Sequence, residues 1–237
     1  YFADGDILGS MDSEECKTDL LPQCFAPMAL KLPNERIYSL AKNSFERLFD
    51  RDVAIYKLFA PPFENSKQKP GYIKGYVPGI RENGGQYTHG ALWGALGFLA
   101  SGMTEEALTV LECANPATRC IDKSLSQSYK TEPYAIAADI YSGDHSGRGG
   151  WSWYTGAASW FYRIMLEYVL GLKLGPDQTL LNASPVIAFD AEITLGNAKL
   201  HITATRDETV ATLNGEKASF PLKLQDGEHY LRLPIKE

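Results

Sequence analysis

The stretch from Pro70 to Trp93 constrains this chain most, because it is rich in glycine and polar groups and runs without a break into a helical pattern. It reads PGYIKGYVPGIRENGGQYTHGALW and holds six glycines, three tyrosines and one histidine. Glycine lets the backbone adopt positive φ angles and approach a ligand closely. Polar groups just before a helix lie where free amide N–H groups and the positive end of the helix dipole attract an anion. The composition of the stretch fits equally a surface loop that caps a helix and a loop that binds a ligand.

The balance of charges excludes some classes of partner. Among 237 residues the formal net charge is −6, whereas nucleic acids and anionic membranes call for basic surfaces. The four cysteines are too few for a disulfide scaffold, and neither a CxxC nor an HExxH pattern occurs, so no metal site is predicted. No apolar run reaches membrane-spanning length and no signal peptide opens the chain. We therefore expect a globular, cytoplasmic protein. Because the chain starts at Tyr1 rather than at Met, the question of a targeting segment upstream is left open.

Helical periodicity dominates the chain up to about residue 170. We predict that Asp12 or Ser13 opens the first helix and that Thr104 caps a later one. Residues 114–130 are predicted to be irregular. The predicted helices span 12–30 (kinked or broken by Pro22 and Pro27), 34–50, 86–101, 104–114, 133–142, and 151–170 (ended by Gly171).

The pattern changes after Pro176, where alternating apolar residues replace the helical spacing. The dipeptides Asn214-Gly215 and Asp226-Gly227 are hairpin signals, each between short β-prone runs. We therefore predict a mainly α part over residues 1–175, followed by a small antiparallel β module over residues 176–237.

Three segments together resemble one family of enzymes. In chain order they read P-G-x-R-E-N-G-G-Q-Y-T-H, E-P-Y-x-x-A-x-D and G-R-G-G-W-x-W-Y-T-G, at residues 78–89, 132–139 and 147–156. The segments resemble the inverting glycoside phosphorylases of glycoside hydrolase family 94. That family includes cellobiose phosphorylase, chitobiose phosphorylase and the phosphorylase-like region of cyclic β-1,2-glucan synthase. The resemblance covers roughly residues 1–175.

The resemblance implies both a fold and a site. Residues 1–175 would form the C-terminal part of an (α/α)6 toroid, and residues 176–237 a β-sandwich-like module, although the W-P-G-F phrase of the family is missing from NASPVIAFDAEIT. The implied phosphate ligands are His89, Thr155 and Gly156. The implied sugar contact is Glu82, with a pocket that is lined or braced by Arg81, Gln86, Tyr87 and Arg148.

The implied chemistry is phosphorolysis with inversion. A carboxylic acid protonates the leaving oxygen while phosphate attacks the anomeric carbon from the opposite face. Inorganic phosphate is therefore the co-substrate, and no cofactor is expected. Ordinary structural roles compete with each assignment: His89 as a helix cap, the Thr155 hydroxyl bonded to its own helix, and Glu82 as an ion-pair partner of Arg81 or Arg148. It is the joint occurrence of the three segments that favours the site.

The catalytic acid of the family does not map onto this chain. The D-W-N-D type phrase that carries it is not present, so the general acid and the remaining toroid helices are expected upstream of Tyr1. We expect a piece of a larger enzyme that acts on β-1,2- or β-1,4-linked glucosides. The sugar-contacting Gln after E-P-Y is replaced in AIAAD, so specificity for cellobiose or chitobiose is not implied. The alternative is a catalytically silent remnant that binds carbohydrate or a partner. Self-association as a homo-oligomer would be one way to cover the exposed helix faces.

Overall fold

The computed structural model describes residues 2, 5–30, 33–67, 69–153 and 155–236, with Thr155 described by its backbone alone. The chain divides into two compact units between Phe161 and Tyr162. The first unit is helical and the second is built of strands. The helices are α1 (Leu20–Ala29), α2 (Asn34–Leu48), α3 (Thr88–Ala100), α4 (Thr104–Ala114), α5 (Pro116–Ile121), α6 (Lys123–Tyr129) and α7 (Thr155–Ile164).

Short strand pairs tie the loops of the first unit together. Each strand has two residues, and the antiparallel pairs are β1 (Thr18–Asp19) with β4 (Phe59–Ala60), β2 (Phe49–Asp50) with β3 (Ile55–Tyr56), and β5 (Gln86–Tyr87) with β6 (Asp139–Ile140). Single-turn 3-10 helices lie at Gly71–Gly75 and Gly143–His145. No described helix is both long and apolar enough to cross a membrane.

Helix α3 is the centre of the first unit. It is apolar around most of its circumference, and α1 and α4 pack against it. Small residues let its neighbours come close: a Cβ added at Gly97 would lie 2.9 Å from the carbonyl oxygen of Cys24 in α1. The helix begins at Thr88 rather than at the predicted Gln86, because Gln86 and Tyr87 pair with β6 instead.

Replacing Gly97 with alanine is expected to destabilise the protein by up to about 2 kcal/mol. Overpacking against the backbone of Cys24 costs about 1–3 kcal/mol, which exceeds the gain in helix propensity of about 1 kcal/mol. Gly90→Ala in the same helix is the control, since its closest contact is the terminal methyl of Leu58, which can rotate away. Urea unfolding of both variants measures the difference, and equal stabilities would contradict the close approach of α1 to α3.

The predicted helix over residues 12–30 is wrong in its first half. Helix α1 begins only at Leu20, where the Asp19 carboxylate accepts a hydrogen bond from the Leu21 amide at 3.0 Å and so caps the helix. The residues before it bond to a distant segment, with the Cys16 amide donating to the Pro61 carbonyl at 2.8 Å. Asp12 and Ser13 therefore open no helix, because non-local pairing overrides a local start signal.

The segment between α4 and α7 also differs from its prediction. Residues 114–130 form the two short helices α5 and α6, each opened by an Asx side chain that accepts backbone N–H groups, Asn115 and Asp122. Thr104 is the first residue of α4 and not its cap. Residues 133–142 hold a turn and strand β6 in place of the predicted helix, because that segment pairs with β5.

Helix α7 is shorter than the predicted helix over 151–170. It begins at Thr155, and a π-helical turn at Met165–Val169 follows its end. Gly171 follows with a φ of +70°, as predicted for the residue that ends the helix. Leu166 and Leu170 pack on the core of the strands, so the second unit begins inside α7 and not at the predicted residue 176.

The second unit consists of two sheets around one apolar core. The five-stranded sheet has the order β12 (Glu216–Lys217), β11 (Thr212–Leu213), β14 (Gly227–Pro234), β10 (Ala198–Thr205), β9 (Phe189–Leu195), and the other has the order β13 (Leu222–Lys223), β8 (Thr179–Ala183), β7 (Leu172–Leu174). The alternation predicted in β10 is confirmed, since Ala198, Leu200, Ile202 and Ala204 are all buried.

Of the two predicted hairpins, one is confirmed and one is wrong. Asn214 and Gly215 have φ angles of +52° and +87° and join antiparallel strands β11 and β12. Asp226-Gly227 joins β13 to β14, which lie in different sheets. The module is also not purely antiparallel, because β14 pairs with β10 in parallel. Residues 206–226 supply the long connection that a parallel pair requires.

Candidate active site

Two glycine-rich loops of the first unit meet on one short strand. We call residues 70–87 the first loop and residues 143–153 the second loop. Strand β6 lies between them: Ile140 pairs with Gln86 on one side and forms an isolated bridge with Gly149 on the other. The segments singled out in the sequence therefore come together at β6.

Gly79 fixes the approach of the first loop to the chain that follows β6. The Ser142 amide donates to the Gly79 carbonyl at 2.9 Å, and the Ser142 hydroxyl donates to the Gly84 carbonyl at 3.0 Å. A Cβ at Gly79 would lie 2.7 Å from the Ser142 carbonyl carbon, and its φ is +87°. Both the space and the conformation require glycine at this position.

Asn83 holds the first loop in shape from within. It is fully buried, its Oδ1 accepts from the Phe63 amide at 2.7 Å, and its Nδ2 donates to the carbonyls of Phe63 and Tyr76 at 2.8 Å each. Sequence reasoning did not single out this residue. Its position between the charged R-E pair and the G-G pair of the first segment was the available signal.

Asp139, the last residue of the E-P-Y-x-x-A-x-D segment, connects the two loops and was also missed. The residue is 1% exposed, and its carboxylate accepts a hydrogen bond from the Arg81 amide in the first loop at 3.2 Å. A Cβ at Gly150 of the second loop would lie 2.8 Å from its carboxyl carbon. Burial raises the pKa of Asp139, and the Arg81 charge and the backbone amides of Arg81 and Trp151 act against that shift.

Arg81 and Glu82 form a mostly buried ion pair beside this carboxylate. Arg81 Nε lies 3.5 Å from Glu82 Oε2, and the side chains are 21% and 15% exposed. The guanidinium is held between two rings, 5.5 Å from the centre of Tyr76 and 5.3 Å from the centre of Trp151. Arg81 thereby contacts both loops, and Glu82 is positioned by it.

The entrance to helix α3 carries unpaired polar atoms. Gln86 is fully buried; its Oε1 accepts from the Tyr56 amide at 2.8 Å, while its Nε2 lacks a hydrogen-bond partner among the described residues. Thr88 Oγ1 and His89 Nε2 also lack a hydrogen-bond partner within the described part of the chain. Buried polar atoms are rarely left unpaired in folded proteins, so these three residues within four consecutive positions offer polar atoms to a bound ligand or to water.

His89 lies in the first turn of α3, and its ring is next to the start of α7. Its ring centre is 4.4 Å from that of Trp93 and 6.4 Å from that of Trp160. A Cβ at Gly156 would lie 3.4 Å from both Cε1 and Nδ1 of His89, so the beginnings of the two helices meet at this imidazole. Burial lowers the pKa of His89 from its usual 6.5, and the ring is therefore neutral at pH 7.

The structure thus brings together most of the residues that the sequence selected. Arg81, Glu82 and Gln86 lie in the first loop, half-buried Tyr87 pairs with Asp139, and His89 meets Gly156. The Thr155 side chain lies outside the described residues. Arg148 is exposed, and none of the contacts above involves its guanidinium.

Comparison with known proteins gives a consistent set of relatives. The family described as "Glycosyl hydrolase 94 superfamily, catalytic domain" matches residues 1–171. The chain is 38% identical to the cyclic beta-(1,2)-glucan synthase of Rhizobium meliloti over 90% of its own length and 8% of that protein. It is 28% identical to the solabiose phosphorylase of Paenibacillus borealis (81% of this chain, 24% of that protein) and 25% identical to the N,N'-diacetylchitobiose phosphorylase of Vibrio furnissii (73% and 21%). The chain spans less than a quarter of the length of each of these relatives.

Proposed function

This chain belongs to the glycosyl hydrolase 94 superfamily by its catalytic domain, and from that premise we propose that it is part of a glycoside phosphorylase. The enzyme would cleave a β-1,2- or β-1,4-glucoside with inorganic phosphate and release a sugar 1-phosphate with inverted configuration. The relatives named phosphorylases support the reaction class. The glucan synthase relative supports glucose as the sugar.

The observation that carries the proposal is the meeting of two helix N-termini at His89. Helices α3 and α7 each present the positive end of the helix dipole at this point. The Thr88 amide at the start of α3 donates to the Ala138 carbonyl at 2.9 Å, so the amides that α3 offers are those that follow it in the first turn. Such termini favour a phosphate. His89 Nε2 adds a polar atom without a partner in the described part of the chain. We therefore assign phosphate to His89, the Thr155 hydroxyl and the Gly156 amide.

The sugar is assigned to the charged end of the first loop. Glu82 forms an ion pair with Arg81, and its Oε2 lacks a hydrogen-bond partner among the described residues, so this oxygen can accept a hydrogen bond from a sugar hydroxyl. Gln86 and Tyr87 brace the wall between this pair and the phosphate ligands. We assign Arg148, whose side chain is exposed, to the outer edge of the pocket.

The proposed mechanism needs one group that these residues do not supply. Phosphate is already nucleophilic at neutral pH, so the chain must hold it in line rather than activate it with a second carboxylate. Asp139 is too deeply buried to protonate a leaving group, and Glu82 is ion-paired. We propose that the general acid comes from another part of a larger protein, in which helices α1–α7 belong to an α/α toroid.

Phosphorolysis assays test this proposal. The gene product as the genome encodes it is incubated with phosphate and β-1,2- or β-1,4-gluco-oligosaccharides, in parallel with the chain Tyr1–Glu237. We expect glucose 1-phosphate from the former and none from the latter, because general acid catalysis alone contributes about 10²–10⁴-fold. Turnover by the chain itself would place an acid within these residues. Sugar binding without turnover by the complete gene product would identify a catalytically silent remnant.

A further inference from the structure

Several large aromatic rings of the two loops are exposed to solvent. Tyr134 is 73% exposed, Tyr72 70%, and Trp151 and Trp153 67% each. Rings of this size are usually well buried, since each can remove a large apolar area from water. All four lie in the first unit, on or next to the loops that form the candidate site.

The exposed rings form two groups, which the chain joins at residues 151–153. Tyr72 meets Tyr76 edge-on with centres 6.1 Å apart, Tyr76 and Trp151 enclose the Arg81 guanidinium, and Tyr134 meets Trp153 edge-on at 5.8 Å. Ser152 alone separates the two tryptophans in the chain. We call Tyr72, Tyr76, Trp151, Trp153 and Tyr134 the aromatic strip.

The backbone is strained where the strip is displayed. Trp153 has a φ of +62° and Arg81 a φ of +51°, a left-handed region that costs a residue with a bulky side chain roughly 1–2 kcal/mol. Burial does not offset that cost for Trp153, because its ring stays mostly in solvent. Backbone strain that core packing does not explain is typical of functional positions.

Two charged groups that contact the rings of the strip already have partners. Arg81 is paired with Glu82, and Glu132 accepts a hydrogen bond from the Trp153 indole N–H at 3.3 Å. Hydrogen bonding, that from Ser152 above all, lowers the pKa of Glu132 and keeps it ionised in this role. The rings of the strip therefore contact charges that already have partners, and their exposed faces suit a ligand that presents weakly polarised C–H groups.

We propose that the aromatic strip binds a neutral β-linked glucan chain, whose pyranose faces stack on the exposed rings as the chain extends away from the Arg81–Glu82 pair. The identity of the sugar rests on the proposed function. The binding itself requires neither phosphate nor a general acid. It is therefore a property that this chain can show alone.

The test is a binding titration of the chain Tyr1–Glu237 with β-1,2- and β-1,4-gluco-oligosaccharides in the absence of phosphate. Binding is measured by tryptophan fluorescence and by calorimetry. Trp153→Gly removes one ring and is expected to weaken binding about 2- to 12-fold. Because glycine relieves the positive φ, the same variant should be as stable as the unchanged chain or more so. If Trp153 had only a structural role, its replacement would not weaken oligosaccharide binding while leaving the stability of the chain unchanged or higher.

Matched controls make the outcome decisive. Tyr38→Ala removes an exposed ring from α2, outside the strip, and should leave binding unchanged. An anionic polysaccharide should bind no better than the neutral oligosaccharides. The proposal is overturned if the chain binds no oligosaccharide, as would happen if the strip were an interface for another part of the protein, or if Trp153→Gly and Tyr38→Ala bind alike. Binding by the chain without phosphorolysis by the complete gene product would leave this inference standing and remove the proposed reaction.

Discussion

Replacing Gly79 with alanine is expected to lower the free energy of unfolding of the first unit by about 2–5 kcal/mol. Two costs add at this position: a φ of +87°, which costs a residue with a Cβ roughly 1–2 kcal/mol, and overlap with the Ser142 carbonyl group, which costs about 1–3 kcal/mol. The overlapping group is backbone of Ser142, whose amide and hydroxyl are hydrogen-bonded to the first loop, so it cannot rotate away as a side chain could. The first loop should therefore separate from the segment after β6, and the candidate site should lose its shape with it.

Alanine variants at two neighbouring glycines allow the conformational cost and the overlap cost to be measured separately. Gly71 has a φ of +80° and open space around its Cβ position, so Gly71→Ala should show the conformational cost alone. Gly75 has open space and no positive φ, so Gly75→Ala should change stability by less than about 0.5 kcal/mol. Urea unfolding of the three variants should rank them Gly79, Gly71, Gly75, from most to least destabilised. If Gly79→Ala proved no worse than Gly71→Ala, the contact between the first loop and Ser142 would be absent.

Replacing His89 with alanine in the active gene product is expected to lower phosphate-dependent efficiency about 10- to 150-fold. A hydrogen bond to a charged phosphate contributes about 1.5–3 kcal/mol, and about 1.4 kcal/mol corresponds to one decade. The loss should appear as a higher phosphate requirement, with the sugar requirement little changed. Initial rates over a range of phosphate concentrations at fixed sugar measure it. Thr155→Val, which keeps the shape and removes the hydroxyl, should cost less.

The structure changes the design of this experiment. His89 is half-buried against Trp93 rather than on an exposed loop, so alanine also removes packing. His89→Phe keeps a ring against Trp93 and removes both nitrogens, and it should lose phosphate dependence as strongly as His89→Ala while retaining more stability. His145→Ala, at an exposed histidine of the second loop, should behave as the unchanged enzyme. Normal phosphate dependence in His89→Phe would exclude His89 as a phosphate ligand.

Features encoded within a few consecutive residues were predictable. The spacing of apolar residues predicted α2 and α4 to within two residues at either end. The dipeptide Asn214-Gly215 predicted its hairpin, because both residues tolerate the positive φ angles that the tight turn requires. The pairing of His89 with the start of α7 also followed from the two glycine-rich segments, through their resemblance to one family.

The errors share one physical cause. Residues 12–19 and 133–142 carry helix-start signals, yet their backbone groups bond to segments far away in the chain. Asp226-Gly227 has the composition of a hairpin, but the strands on its two sides belong to different sheets. Apart from proline, local propensities differ by about 1 kcal/mol per residue or less, so long-range pairing and burial outweigh them.

The sequence by itself determined the family, the two glycine-rich loops and the residue types available to a phosphate and a sugar, since these depend on the order of residues alone. Only the tertiary structure decided which residues hold those loops: Asn83 from inside the first loop, and Asp139 between the two. Asp139 is 58 residues from Arg81 in the chain, and its role arises only when β5 pairs with β6 and brings a buried carboxylate to the Arg81 amide. Such a role depends on burial and on the distance between remote backbone groups, and both exist only once the chain has folded.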